Sequence, residues 1–353
     1  MVNWADRIVR GSHRRGRMAI RKALLATALS AVACFPSVLA QGLAPTILQI
    51  DIENFVRYVE DTSDPSKFAT NPNITPASVP KNFGEYIAIA DIVAVNDLPA
   101  KGTYASRGRS MTMSPSPSAG AGIADVTRNS AVDVRFEILN VDGTTPVGTV
   151  LGLEFGMGPP PPGTLSVISQ GNNVIVGGTG AYLGSRGSLG QAVTSQTVAV
   201  RMASMSEDPA NRRRNGGGRA RYVLQVIPMT RPEVLMTAGV PVIAHANNEM
   251  VTAANPAAVG ETLSLFATGL GPTRPGVDPG QLFPSSPPAA VNSPVQVTVN
   301  GNPATVLAAG GFPGSADIYQ VRFQVPSRTG PGAAVVQVIT AWIAGPTVSL
   351  SIQ

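Results

Sequence analysis

The stretch AVDVRFEILNVDGTTPVGTVLGLEF, residues 131–155, decides the fold class. Val132, Val134, Phe136 and Ile138 alternate with Asp133, Arg135 and Glu137. That period of two turns one strand face to a core and the other to water. Asp142-Gly143 turns the chain, and residues 147–155 supply a second strand. Outward from this hairpin, residues 46–58, 86–95, 165–168, 173–176, 196–202 and 221–227 read as further strands. Helical periodicity is almost absent. Glycine (37) and proline (31) punctuate the strands, yet together stay below the roughly 25–30% of low-complexity chains. The chain is all-β.

Three segments read as loops: 107–122, rich in Ser, Pro, Met and Gly; 158–163, with four consecutive prolines; and 206–219, with Arg212-Arg213-Arg214 before Gly216-Gly217-Gly218. The last, with Arg221 just beyond it, is either a solvated hairpin tip or a contact for an acidic polymer or lipid headgroup. A composition shift over 227–241 marks a boundary. Beyond it, strands restart at 261–268, 295–299, 319–325, 334–342 and 348–352, with Asn300-Gly301 as a hairpin turn. This rhythm of short strands predicts an immunoglobulin-like sandwich.

Lys+Arg 26 against Asp+Glu 21 gives a formal +5, which at first suggests an anionic partner. Seven of the bases (Arg7, Arg10, Arg14, Arg15, Arg17, Arg21 and Lys22) and one acid, Asp6, lie in residues 1–40, so the remainder carries 19 bases and 20 acids. A nucleic-acid binder needs a basic face to neutralise phosphates; that class is excluded. Residues 18–40 read as a secretory signal. Arg21-Lys22 precede an apolar run, and Val38-Leu39-Ala40 places small residues at the cleavage site before Gln41. The run is shorter than the ~20 residues of a transmembrane helix, and no other stretch is long enough to span a membrane. The basic extension before Met18 is either an upstream start or part of the leader. Cleavage after Ala40 removes Cys34, the only cysteine, and leaves neither disulfide nor thiol nucleophile. Alternatively, Ala31-Val32-Ala33-Cys34 serves as a lipobox and Cys34 carries a lipid anchor. The expected location is outside the cytoplasm: secreted, periplasmic or at the cell envelope.

Two resemblances follow. Val259-Gly260-Glu261-Thr262-Leu263, Ala267-Thr268-Gly269-Leu270-Gly271-Pro272, Val297-Thr298-Val299-Asn300-Gly301 and residues 319–326 are similar to the Ig-like domain related to IPT/TIG modules of secreted Acidobacteria proteins. That likeness implies a spacer or adhesion module without a catalytic centre. Residues 173–187, NVIVGGTGAYLGSRG, resemble the strand-turn-strand of allene oxide cyclase and dirigent barrels. It implies an eight-stranded antiparallel barrel that binds a hydrophobic small molecule and steers its cyclisation or coupling. The expected organisation is a leader over 1–40, a barrel over 43–230 and an Ig-like sandwich over 231–353.

Most chemistry that could be read into the chain fails on its neighbours. Residues 174–180, VIVGGTG, run from an apolar strand into glycines, but no helix follows to face a pyrophosphate. His245 is the only histidine after residue 40, with no partner for a zinc site. No G-x-S-x-G occurs. Asp51 and Glu53, two apart on one strand face, suit acid–base work or calcium, or simply a solvated face. What remains is the barrel lumen, with Tyr86, Tyr104, Glu137, Glu154, Tyr182 and Arg186 as polar candidates. No metal or cofactor is implied. The expected function is a non-enzymatic binding or structural role, with a cyclase- or dirigent-like activity as the alternative.

Overall fold

The computed structural model describes residues 44–61, 82–112, 128–156, 172–204 and 207–353. The leader, Cys34, the 158–163 prolines and the expected strand at 165–168 lie outside these residues. Residues 45–353 form one compact unit.

Nine strands make the first sheet: β1 (Thr46–Asp61), β2 (Asn82–Val95), β3 (Leu98–Thr112), β4 (Arg128–Leu139), β5 (Pro146–Gly156), β6 (Asn172–Gly180), β7 (Arg186–Ala192), β8 (Arg201–Ser204) and β9 (Gly218–Ile227). They run in the order β2-β3-β4-β5-β6-β7-β9-β1, and β1 pairs back with β2. The result is a closed eight-stranded antiparallel barrel, the closure that removes exposed edges. β8 lies outside this count: it pairs parallel to Val56–Val59 of β1, beyond the stretch that β9 covers. Residues 107–112, expected in a loop, continue β3. Pairing with β2 and β4 on both sides holds this polar segment extended.

The β2–β3 hairpin turns on Asn96-Asp97, both at positive φ, as the two-residue turns that match strand twist require. Together with the β4–β5 and β6–β7 turns, it closes one end of the barrel. Leu48, Ile50, Ile92, Ile138, Val147, Leu224 and Val226 fill the lumen near that end.

The remaining strands are β10 (Glu233–Val234), β11 (Met236–Thr237), β12 (Val240–Pro241), β13 (Ile243–Ala244), β14 (Thr262–Thr268), β15 (Thr273–Arg274), β16 (Ala290–Val291), β17 (Val295–Val299), β18 (Asn302–Gly311), β19 (Tyr319–Gln324), β20 (Gly332–Thr340), β21 (Ile343–Ala344) and β22 (Val348–Ile352). Apart from the small β11–β12 pair they form one curled antiparallel sheet. β18 is the shared element, since Asn302–Ala304 pair with β17 and Thr305–Gly311 with β19. The inward residues of both parts, among them Leu263, Leu265, Val321, Phe323, Val297, Val336 and Leu350, make one buried cluster. Asn300 and Gly301 both take positive φ at the β17–β18 turn, as its Asn-Gly sequence requires.

A second tight turn has an unusual occupant. Ala341 and Trp342, between β20 and β21, both lie at positive φ, a region that bulky residues rarely enter. Ala341, Trp342 and Ile343 are buried in the barrel's own core cluster, so packing against the barrel's closed end holds the strained turn.

Candidate functional site at the open end of the barrel

The site depends on a bulge in β1. Leu48, Ile50 and Ile52 point into the barrel, and simple alternation would carry Asn54, Val56 and Tyr58 inward too. Instead, the register with β2 slips between Glu53 and Val56, and Asn54 sits at φ 54°. Asparagine tolerates this left-handed conformation better than most residues. The slip changes parity: Phe55 joins the barrel core, and Arg57 enters the lumen. Val56 and Tyr58 stay buried but face outward; Tyr58 lies near Arg201, Glu207, Asp208 and Arg212.

Four rings then form a layer across the barrel. Tyr104 stacks on Tyr222 with centroids 5.0 Å apart, and packs against Phe55 at 5.4 Å and Phe136 at 5.2 Å. The Tyr104 and Tyr222 hydroxyls share a 2.9 Å hydrogen bond. On one side of this layer lies the packed apolar end. On the other is a cavity of about 210 Å³ lined by Phe55, Arg57, Tyr86, Tyr104, Ser106, Glu154, Gln191, Thr197, Val198, Ala199, Val200 and Tyr222. Small residues make room for it. Tyr86 lies opposite Gly108, and any Cβ at Gly108 would strike the Tyr86 ring.

The cavity's electrostatics are set by burial. Desolvation pushes the Glu154 carboxyl up to about 7, against the opposing pull of Arg57, because a low-dielectric site disfavours the charged form. Burial likewise raises Tyr86, Tyr104 and Tyr222, all of which stay neutral. The Arg57 guanidinium carbon lies 4.3 Å from the centre of the Tyr86 ring, a cation–π contact. Its Nε is buried without a hydrogen-bond partner. Among the described residues no carboxylate approaches Arg57 within ion-pair distance.

Of the six residues expected in the lumen, Tyr86, Tyr104 and Glu154 converge on this cavity. Glu137 is exposed on the outer face of β4, the face its alternation with Phe136 and Ile138 assigns it. Arg186 is exposed at the start of β7. Tyr182 is fully buried at the opposite end, where its hydroxyl donates to the Ala341 carbonyl oxygen. Arg57, Ser106, Gln191 and Tyr222 were not expected. Only alternation from Tyr104 to Ser106 signals one of them directly; Arg57 needs the bulge and Tyr222 needs the barrel to close.

Several other charged groups are paired within the protein. Asp51 receives Nε and Nη2 of Arg221, each at 2.7 Å, and Glu53 pairs with Arg219 at 3.4 Å. They line an exterior groove of about 300 Å³ whose charges already have partners, and among the described residues no cluster of carboxylates or histidines of metal-binding size is found. The 207–216 segment is anchored through Arg212, which is buried, while residues 208–210 and 213–215 are exposed as a solvated tip would be. It forms a 3-10 turn and a one-turn helix, Arg212–Asn215. Asp91 accepts from Arg212 at 2.5 Å, from Arg213 at 2.9 Å and from Asn54 at 2.9 Å. Burial alone would raise the Asp91 pKa; the bonds from Arg213 and Asn54 and the two arginine charges overcome it, and the net shift is downward. His245 bonds Glu261 through Nδ1 at 2.6 Å, a satisfied loop pair.

No known family model matches the chain, and no characterised protein matches it. Among solved structures a polysaccharide lyase aligns at 8% identity, covering 87% of this chain and 40% of that one, with a TM-score of 0.17. A likeness of that size transfers neither fold nor function. No helix among the described residues is long and apolar enough to cross a membrane.

Proposed function

We propose that this chain is an exported, non-enzymatic two-part β protein whose barrel, over 43–230, holds a small molecule in its open end. The C-terminal part, over 231–353, is then an Ig-like module that spaces or tethers the barrel at the bacterial cell envelope or outside the cell. One observation carries the reading. The lumen is packed solid with aliphatic side chains at one end, yet at the other it keeps a cavity lined by convergent polar groups, including a buried unpaired Arg57 Nε. A concave site with a few fixed polar groups is the usual form of a small-molecule site, and at about 210 Å³ this one lies below the ~300 Å³ of drug-sized pockets, so it suits only a small ligand. The leader over 18–40 supports export, with cleavage after Ala40 or lipidation at Cys34. The curled sheet around one core supports the Ig-like assignment.

A second reading has one observation in its favour. Glu154 sits among tyrosines with a pKa near neutrality, where it can both give and take a proton. That suits an allene oxide cyclase- or dirigent-like barrel steering cyclisation or coupling of a hydrophobic substrate. Mass spectrometry of small molecules retained through purification of the exported chain tests both. A bound compound released unchanged supports a binding protein, and turnover of an added precursor supports the second reading. No retained compound, with no thermal shift across a library of small ring compounds, removes the small-molecule role and leaves a structural one.

A further inference from the structure

Resting on the small-molecule reading above, we propose that the barrel cavity binds a single-ring organic acid as its monoanion, with the acid group on Arg57 and the ring against the tyrosine faces.

Size sets the first limit. A cavity of ~150 Å³ lined by apolar side chains accommodates benzene, and this one measures about 210 Å³. One six-membered ring with a short substituent is the size that fills it. The aromatic layer beneath forbids deeper entry, because Tyr104, Phe136 and Tyr222 stack across the lumen.

Charge sets the second. Arg57 brings a permanent positive charge into the barrel. Its guanidinium carbon lies over the Tyr86 ring, and Nε is buried without a hydrogen-bond partner. A guanidinium so placed keeps its edge donors for a planar two-oxygen acceptor, the geometry that carboxylates match best. Among the described residues none supplies such an acceptor. Glu154 shares the cavity but does not pair with Arg57, and burial keeps it protonated for much of the time at neutral pH. The groups facing Glu154 are Arg57 from β1, Tyr86 from β2, Tyr104 from β3 and Tyr222 from β9. Its register neighbours, Val132 on β4 and Asn173 on β6, do not titrate. The cavity therefore carries a net positive charge when Glu154 is protonated and none when it is ionised. An entering anion favours the protonated form and is accompanied by proton uptake at Glu154.

Calorimetry with benzoate and its neutral isostere benzamide tests this on the full chain. Benzoate should bind at least about tenfold more tightly than benzamide, the margin of one charge-assisted contact. Its affinity should fall about tenfold from pH 6 to pH 8, as the protonated fraction of Glu154 falls, while benzoate itself stays ionised. Glu154→Gln should flatten that pH dependence, and Arg57→Met should reduce benzoate to the level of benzamide. Equal affinity for the two probes in the unmutated protein overturns the anion assignment and leaves the cavity reading standing. Binding of neither probe, nor of toluene or phenol, overturns the cavity reading itself. The benzoate-to-benzamide ratio needs no variant, so a misfolded Arg57→Met protein leaves the test intact.

Discussion

The Tyr182 hydroxyl donates to the Ala341 carbonyl oxygen across 3.3 Å, joining residues 159 positions apart. Tyr182 comes from the β6–β7 turn that closes the barrel, and Ala341 from the strained turn of the C-terminal sheet. The two sheets therefore share part of one core. Asn140 reinforces the joint by donating to the Asn292 carbonyl at 3.1 Å.

Tyr182→Ala should lower stability by about 3–5 kcal/mol, the cost of emptying a fully buried aromatic site. Tyr182→Phe should cost about 1 kcal/mol, since only one hydrogen bond is lost. In protein beginning at Gln41, Trp342 is the sole tryptophan and lies in this joint. Urea unfolding followed by its fluorescence reports the loss directly. A Tyr182→Ala protein as stable as the parent would show that the joint contributes nothing.

Glu154 makes stability fall as pH rises. Its folded-state pKa is raised from 4.5 to about 7, so between those values the folded protein holds a proton that the unfolded chain has released. The stability it contributes is full below about pH 4.5 and lost as pH rises through about 7. Glu154→Gln should therefore be more stable than the parent at pH 8 by up to about 3 kcal/mol, with the difference vanishing below about pH 4.5. Denaturation midpoints across that range check the sign; an opposite slope would place Glu154 in a solvated or ion-paired setting.

Gly108→Ala should disturb the cavity without opening the barrel. Gly108 is a register neighbour of Val132 and Tyr86, and a Cβ there would collide with the Tyr86 ring. The ring must move off Arg57, at a cost of about 1–3 kcal/mol. Far-UV circular dichroism should be unchanged, while binding of any cavity ligand should weaken. Retention of full affinity would mean that the Tyr86 position does not shape the site.

Asp91→Asn should free the 207–216 segment. Asp91 is the shared acceptor for Arg212, Arg213 and Asn54, and the Arg212 and Asp91 side chains are only 9% and 16% exposed. Removing one partner of a buried pair costs about 3–5 kcal/mol. Trypsin should then cut after Arg212 or Arg213 faster than in the parent. The depressed Asp91 pKa means that the parent loses this clamp on acidification, below the ordinary aspartate range, and keeps it above. Unchanged cleavage rates would show that other contacts hold the segment.

The strands were legible because alternation is a local property. Residues 131–140 announce their buried face, and the same period already assigns Glu137 to the outside. Asn300-Gly301 announces its turn by residue type. The site was legible only where alternation continued undisturbed, as from Tyr104 to Ser106 on β3 or from Val150 through Gly152 to Glu154 on β5. At β1 it failed. Read as an even strand, residues 46–58 bury Val56 and Tyr58 in the lumen and expose Arg57; the Asn54 bulge reverses all three. The arginine run misled for a different reason. Its charge was plain, but its partner, Asp91, lies 121 residues away from Arg212.

By itself, the sequence determined that this chain is all-β, that its net positive charge lies in the first 40 residues, and that most of its strands have an inner and an outer face. Those properties rest on composition and on periods of two residues. The inward turn of Arg57, the arrival of Tyr222 in the cavity and the seating of the Trp342 turn in the barrel core were decided by tertiary structure alone. Each depends on groups brought together from distant strands, and one bulged residue changes which of them face inward.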